Sequence, residues 1–108
     1  MSDSSDYQIL KTLQVDPKIS QRRLAESLGV SLGKTNYCVK ALLEKGFVKA
    51  SSFKNGESKI GYAYLLTPRG LKRKALLTRR FLETKVHEYE KLQQEIQNLK
   101  TELQQEPG

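Results

Sequence analysis

Tryptophan is missing from this chain, and cysteine, histidine and methionine occur once each. A single cysteine, Cys38, cannot close an internal disulfide, which fits a reducing compartment. One cysteine and one histidine, His87, fall short of the ligand set a metal needs, so neither metal nor cofactor is expected. No apolar run approaches the ~20 residues of a membrane span. The start MSDSSD is polar and acidic with no apolar stretch behind it, so a soluble cytoplasmic protein without a signal peptide is expected. A glycine-rich phosphate loop is also lacking: Gly29, Gly33 and Gly46 read as turn or helix-start positions. Glu88, Glu95 and Glu102 recur every seven residues, as helix surface charges do, and form no carboxylate pair. No catalytic residue emerges, and no enzyme is expected.

What is present is positive charge, unevenly placed. The chain has 108 residues, a formal charge of +7 and a pI near 9.6. That length allows one small domain plus an extension. Hydrophobic residues make up 37 %, so the core is modest and needs support. Residues 1–66 carry +4, residues 67–81 carry +6 with no acid at all, and residues 82–108 carry −3. A basic balance of this size suits a polyanion. It belongs to the first three-quarters of the chain.

The stretch from Ser20 to Gly46 holds two helix starts and two helix stops. Ser20 is a good N-cap. Leu24, Ala25 and Leu28 follow at helical spacing, and Gly29 can end the helix at positive φ. After Val30, Ser31 caps a second helix that runs to Lys45 and stops at Gly46. Helix, short glycine-containing turn, helix is the helix-turn-helix arrangement, whose second helix enters the DNA major groove. Ala25 is small where the helices cross. Thr35, Val39, Leu42 and Leu43 share the inner face, and Cys38 reads as a small core residue. The outer face presents Ser31, Lys34, Asn36, Tyr37 and Lys40. Asparagine can read adenine, lysine can reach guanine or phosphate, and the helix starts at Ser20 and Ser31 favour phosphate.

The flanks complete the head. Ser5 or Asp6 is expected to cap a first helix through about Gln14, with Ile9, Leu10 and Leu13 inward. Pro17 ends it, and Ile19 can pack back on it as a staple. Phe47 to Ala50 is a short strand candidate. Ser51 to Lys59 is polar and contains the turn signal Asn55-Gly56. Ile60 to Leu66 is the return strand. A hairpin behind the second helix is a wing, and Lys54, Asn55 and Lys59 at its tip are placed to meet DNA backbone or minor groove.

Thr67-Pro68 opens a last helix, a capping hydroxyl before proline at the first turn. Nothing breaks it until about Gln105, on the order of 55 Å at 1.5 Å per residue. From residue 82 it carries heptads: Leu82, Tyr89, Ile96 and Leu103 at a, Lys85, Leu92 and Leu99 at d. The seam continues backwards through Leu71, Ala75 and Thr78. Leu82, Tyr89, Leu92, Ile96, Leu99 and Leu103 are therefore the expected dimerisation residues, with Lys85 and Tyr89 as weak layers. Parallel pairing is expected, because two neighbouring heads suit a two-fold DNA site and Glu95 then faces Lys100. Antiparallel pairing is the alternative, and would lay the basic start of the helix against the acidic end. The cations Arg69, Lys72, Arg73, Lys74, Arg79 and Arg80 are either a DNA-flank contact or a solvated face.

These residues carry a family resemblance. Ile9-Leu10, Leu13, Leu24-Ala25, Leu28 to Ser31, Leu42 to Val48 and Leu66 to Leu71 resemble a winged-helix regulator of the MarR type. The first half is also similar to the heads of Lrp/AsnC regulators. The short length and C-terminal coil most resemble small MarR-family regulators associated with exopolysaccharide gene clusters. The resemblance implies dimeric binding to promoter DNA, with Ser31 to Lys45 in the major groove and Lys54 to Lys59 as wing. It alone links the chain to polysaccharide genes. Larger MarR proteins have further helices that frame a small-molecule pocket. One long helix replaces them here, which removes the grounds for expecting a drug- or phenol-type effector.

The expected architecture is mainly α with a small β-wing: a winged helix-turn-helix head over residues 1–66, and a long helix over 67–108 whose coiled coil starts near 82. The expected function is sequence-specific duplex DNA binding as a homodimer. The alternative is a protein-interaction module built from the same head and coil, without direct DNA readout.

Overall fold

The computed structural model describes residues 3–54, 56 and 60–107. In chain order they form α1 (Asp3–Val15), α2 (Gln21–Leu28), α3 (Leu32–Glu44), β1 (Val48–Lys54), β2 (Ile60–Leu66) and α4 (Pro68–Gln105). The two strands pair antiparallel, from Val48 opposite Leu66 to Lys54 opposite Ile60. This is a three-helix base with a two-stranded wing and a long last helix, as the sequence led us to expect. The chain divides into two compact units, one ending at Leu77 and one beginning at Thr78.

The first unit is held by one core. Ile9, Leu10 and Leu13 of α1, Leu24 and Ala25 of α2, and Thr35, Cys38, Val39 and Leu42 of α3 are buried together with Val48, Ala63 and Leu77. Each fully buried leucine contributes roughly 1.5–3 kcal/mol relative to exposure. Thr35 is tolerated inside because its Oγ1 donates to the Ser31 carbonyl at 3.0 Å. Leu43, expected inside, is only half-buried. The wing is tied to the helices by the Tyr64 N–H, which donates to the Pro17 carbonyl at 2.9 Å.

Two boundaries differ from the sequence reading. The first helix starts at Asp3 instead of capping at Ser5 or Asp6. Carboxylates near a helix start are favoured inside the first turn as well as at the cap, so Asp3 and Asp6 did not mark the cap itself. The first strand runs on through Ser51, Ser52 and Phe53 to Lys54. A two-stranded ribbon leaves much of both faces wet, so polar residues there do not end a strand.

Asp6 is the exception in the core, only 4 % exposed. Its Oδ1 has no hydrogen-bond partner, and neither has the buried Nε of Arg73. Burial pushes the Asp6 carboxyl above its ordinary value of 3.8, and Lys45 and Arg73 only partly offset this. A raised carboxyl favours the folded state while protonated. Its contribution is complete below pH of about 3.9 and is lost as pH rises through the native pKa. Asp6→Asn should therefore gain stability over the wild type as pH increases through that window. Melting curves of both proteins from pH 3.5 to 7 check this, and parallel curves would refute it.

The second unit is helical, residues 78–105 of α4. Leu82, Tyr89, Leu92, Ile96, Leu99 and Leu103 are all exposed on the single chain. His87 is exposed on the same helix. Among the described residues no helix is long and apolar enough to cross a membrane.

Candidate nucleic-acid interface

The α2–α3 junction is built by local chemistry. Ser20 adopts extended backbone, and its Oγ accepts the Arg23 N–H at 3.1 Å. Gly29 takes φ 69°, a left-handed conformation that glycine adopts without a Cβ penalty. Its N–H donates to the Glu26 carbonyl and the Val30 N–H to the Ala25 carbonyl, both at 3.2 Å. That crossed pair is a Schellman stop. Ser31 is extended again, and its Oγ accepts the Lys34 N–H at 3.1 Å. One helix is thus stopped and the next started within three residues.

With Thr35, Cys38, Val39 and Leu42 inward, α3 turns the other side to solvent. Ser31, Lys34, Asn36, Tyr37 and Lys40 are all exposed there, Tyr37 at 68 %. The side carries two cations, an amide, a hydroxyl and a ring, and no carboxylate before Glu44. Ser20 and Ser31 each spend an acceptor lone pair on their own helix start, which leaves the hydroxyl hydrogen able to donate to phosphate.

The outer half of the wing lies close to the start of α2. Phe53 packs over Gly61, where an added Cβ would lie 2.7 Å from its ring. The Lys18 ammonium stands 4.7 Å from the Phe53 centroid, a cation–π contact. Gln21 donates from Nε2 to the Tyr64 hydroxyl at 3.3 Å. Ser20 therefore shares a groove of about 300 Å³ with Phe53, Tyr62 and Tyr64. Lys54, at the outer end of β1, is exposed. Asn55 and Lys59 lie outside the described residues.

Three candidates escaped the sequence reading. Arg22 and Arg23 are exposed in the first turn of α2, the helix that crosses the DNA backbone in this arrangement. Their signal was available, since cations directly behind the Ser20 cap sit where phosphate is favoured. Leu32, 42 % exposed at the start of α3, can meet a thymine methyl. It read as an ordinary helix residue because nothing in the spacing marks it. Two of the basic residues after Thr67 lie elsewhere: the Arg69 and Arg73 guanidiniums stand 5.4 and 5.8 Å from the Phe47 ring, beyond the C-terminal end of α3. Cys38 is 3 % exposed and packs in the core. Among the described residues no cluster of His, Cys, Asp or Glu could hold a metal ion.

Comparison with known proteins agrees with this geometry. Residues 2–49 match the family model described as winged helix-turn-helix DNA-binding. Among solved structures, the chain is similar to a MarR transcriptional regulator from Methanosarcina mazei Go1, with TM-score 0.65 and 20 % identity over 93 % of this chain and 73 % of that one. It is similar to the PcaV transcriptional regulator from Streptomyces coelicolor, with TM-score 0.64 and 18 % identity over 94 % and 79 %. It is also similar to the adhesin competence repressor from Streptococcus pyogenes, with TM-score 0.64 and 17 % identity over 94 % and 78 %. No curated protein matches the chain. At these identities the likeness defines the fold: a winged helix of the kind MarR-family transcriptional regulators share.

Proposed function

We propose that this chain is a MarR-type transcriptional regulator that binds duplex DNA in a sequence-specific manner as a homodimer. The carrying observation is the solvent face of α3, where Lys34, Asn36, Tyr37 and Lys40 stand exposed on a helix whose other side is core. α3 enters the major groove, Asn36 and Lys34 read base edges, and Lys40 and the Ser31 hydroxyl meet phosphate. Ser20, Arg22 and Arg23 hold the backbone beside it, and Lys54, Asn55 and Lys59 are assigned to backbone phosphate or the minor groove. A duplex DNA partner supports a cytoplasmic location. Resemblance to exopolysaccharide-associated regulators supports genes of that kind as targets.

The heptad residues Leu82, Tyr89, Leu92, Ile96, Leu99 and Leu103 support the dimer, because a lone helix leaves all six in water. Burying Leu92, Ile96, Leu99 and Leu103 contributes roughly 6–12 kcal/mol before ordering and association costs. Two heads then address two half-sites.

A salt titration of binding to duplex fragments tests the reading. Log K should fall linearly with log salt, with a slope near −0.9 per neutralised phosphate. A protein-interaction module without DNA readout would show no duplex binding at low ionic strength, and that result would end the proposal.

A further inference from the structure

We propose that α4 pairs antiparallel with α4 of a second copy of this chain, in a register that sets Leu82 against Leu92 and Lys85 against Tyr89. This rests on the homodimer reading above and gives it a direction, the opposite of the one first expected.

The first observation is the length of the open stripe. Leu71 is 47 % exposed, and Ala75 and Thr78 are exposed as well. The face of α4 that holds Gly70 and Leu77 is the buried one. The seam therefore lies open from Leu71 to Leu103, not only from Leu82. In an antiparallel coil each a residue packs against a d residue of the other strand. Over this span every layer finds a counterpart: Leu71 meets Leu103 of the second copy, Ala75 meets Leu99, Thr78 meets Ile96, Leu82 meets Leu92, and Lys85 meets Tyr89. Small residues fall opposite large ones, which evens the packing. Lys85 gains an aromatic face and a hydroxyl as neighbours.

Parallel pairing in register puts like on like. Ala75 against its copy leaves a gap, and Lys85 against its copy brings two ammonium groups together in the seam. The Lys85 Nζ is held 3.2 Å from Glu88 on the same helix, an exposed pair that cannot neutralise a facing lysine in the seam.

Charge along the helix is the second observation. Residues 67–81 hold six cations and no acid, and residues 82–108 hold six acids and three cations. Parallel strands lay the cationic segment beside its copy within a Debye length of about 8 Å. Antiparallel strands lay it beside the acidic segment, with Lys74 facing Glu102 on one edge. By the two-fold, Lys74 meets Glu102 twice, Lys72 meets Lys100 of the second copy twice, and Glu88 meets its copy once, so charge favours this direction through the totals of the two segments and not through the flanking pairs.

Cysteine cross-linking tests the direction. In a Cys38→Ser background, Leu82→Cys and Leu92→Cys are made separately and oxidised with diamide, alone and mixed. An antiparallel register leaves Leu82 about 15 Å from its own copy, ten residues along the helix. A disulfide cannot span that distance. The mixture should cross-link and the single variants should not. Cross-linking of each variant with itself overturns the direction but leaves the dimer standing. Monomer by sedimentation equilibrium on the same samples overturns the dimer and the direction together. Should the cysteine variants fail to fold, a charge variant decides. Lys74→Glu sets Glu against Glu102 in the antiparallel coil and should weaken the dimer on the order of tenfold, with Glu102→Lys restoring it. In a parallel coil Lys74 faces Arg79, so Lys74→Glu would tighten the dimer, which also refutes the proposal.

Discussion

Asn36→Ala is expected to lower affinity for the protein's own operator by about 1–3 kcal/mol and to leave binding to unrelated duplex nearly unchanged. Its amide can make two hydrogen bonds to one adenine edge, and nothing else on that face of α3 offers the same donor and acceptor pair. Lys34→Ala should cost a similar amount on the operator, and lose some non-specific affinity as well, since its ammonium reaches phosphate as readily as guanine. Both side chains are exposed, so folding stability should move by less than about 0.5 kcal/mol. Genome-wide mapping of bound fragments supplies the operator, and titrations on it and on scrambled duplex check the ratio. Equal losses on both sequences would show that neither residue reads bases.

Gly70→Ala is expected to destabilise the head by roughly 3 kcal/mol. A Cβ there would lie 1.9 Å from the Phe47 carbonyl oxygen and 2.9 Å from its carbon. These are backbone atoms, so no rotamer change can make room. The same junction is clamped from both sides. The Thr67 N–H donates to the Phe47 carbonyl at 3.1 Å, the Thr67 hydroxyl donates to the Gly46 carbonyl, and the Gly70 N–H donates to Thr67 Oγ1 at 3.1 Å. Alanine's better helix propensity returns only about 1 kcal/mol. Against a total stability of about 5–15 kcal/mol for a natural domain the loss is large. Urea unfolding measures it. Gly33, in the first turn of α3, is the control: an added Cβ meets nothing within 4 Å there, so Gly33→Ala should not destabilise. A Gly70 loss below 1 kcal/mol would refute the account of the clamp.

The helix-turn-helix was legible because its signals are short-range. Ser20, Gly29 and Ser31 act on backbone groups three to five residues away, and the structure shows each of them making those bonds. The inner face of α3 was legible from period alone, apart from Leu43. The wing announced itself through the turn signal Asn55-Gly56 in the sequence and the β-rich return strand. Its first strand was read too short, because Ser51 and Ser52 carry no periodicity that separates a wet strand from a loop. Leu32 was missed for a related reason: an apolar residue at a helix start reads the same whether it faces core or solvent. Arg22 and Arg23 were legible in principle, since they follow a cap that had been identified.

By itself the amino-acid order determined where helices start and stop, which side of α3 stays wet, and that α4 carries a seven-residue apolar stripe. Those properties depend on neighbours within about one or two turns. Tertiary structure alone decided that Asp6 is buried, that Arg73 meets Asp3 at 3.2 Å, that Gly70 touches Phe47, and that Leu77 belongs to the core of the first unit. Each of these depends on segments tens of residues apart meeting in space. Periodicity reports how a segment is patterned, and only the packed chain reports what the pattern faces.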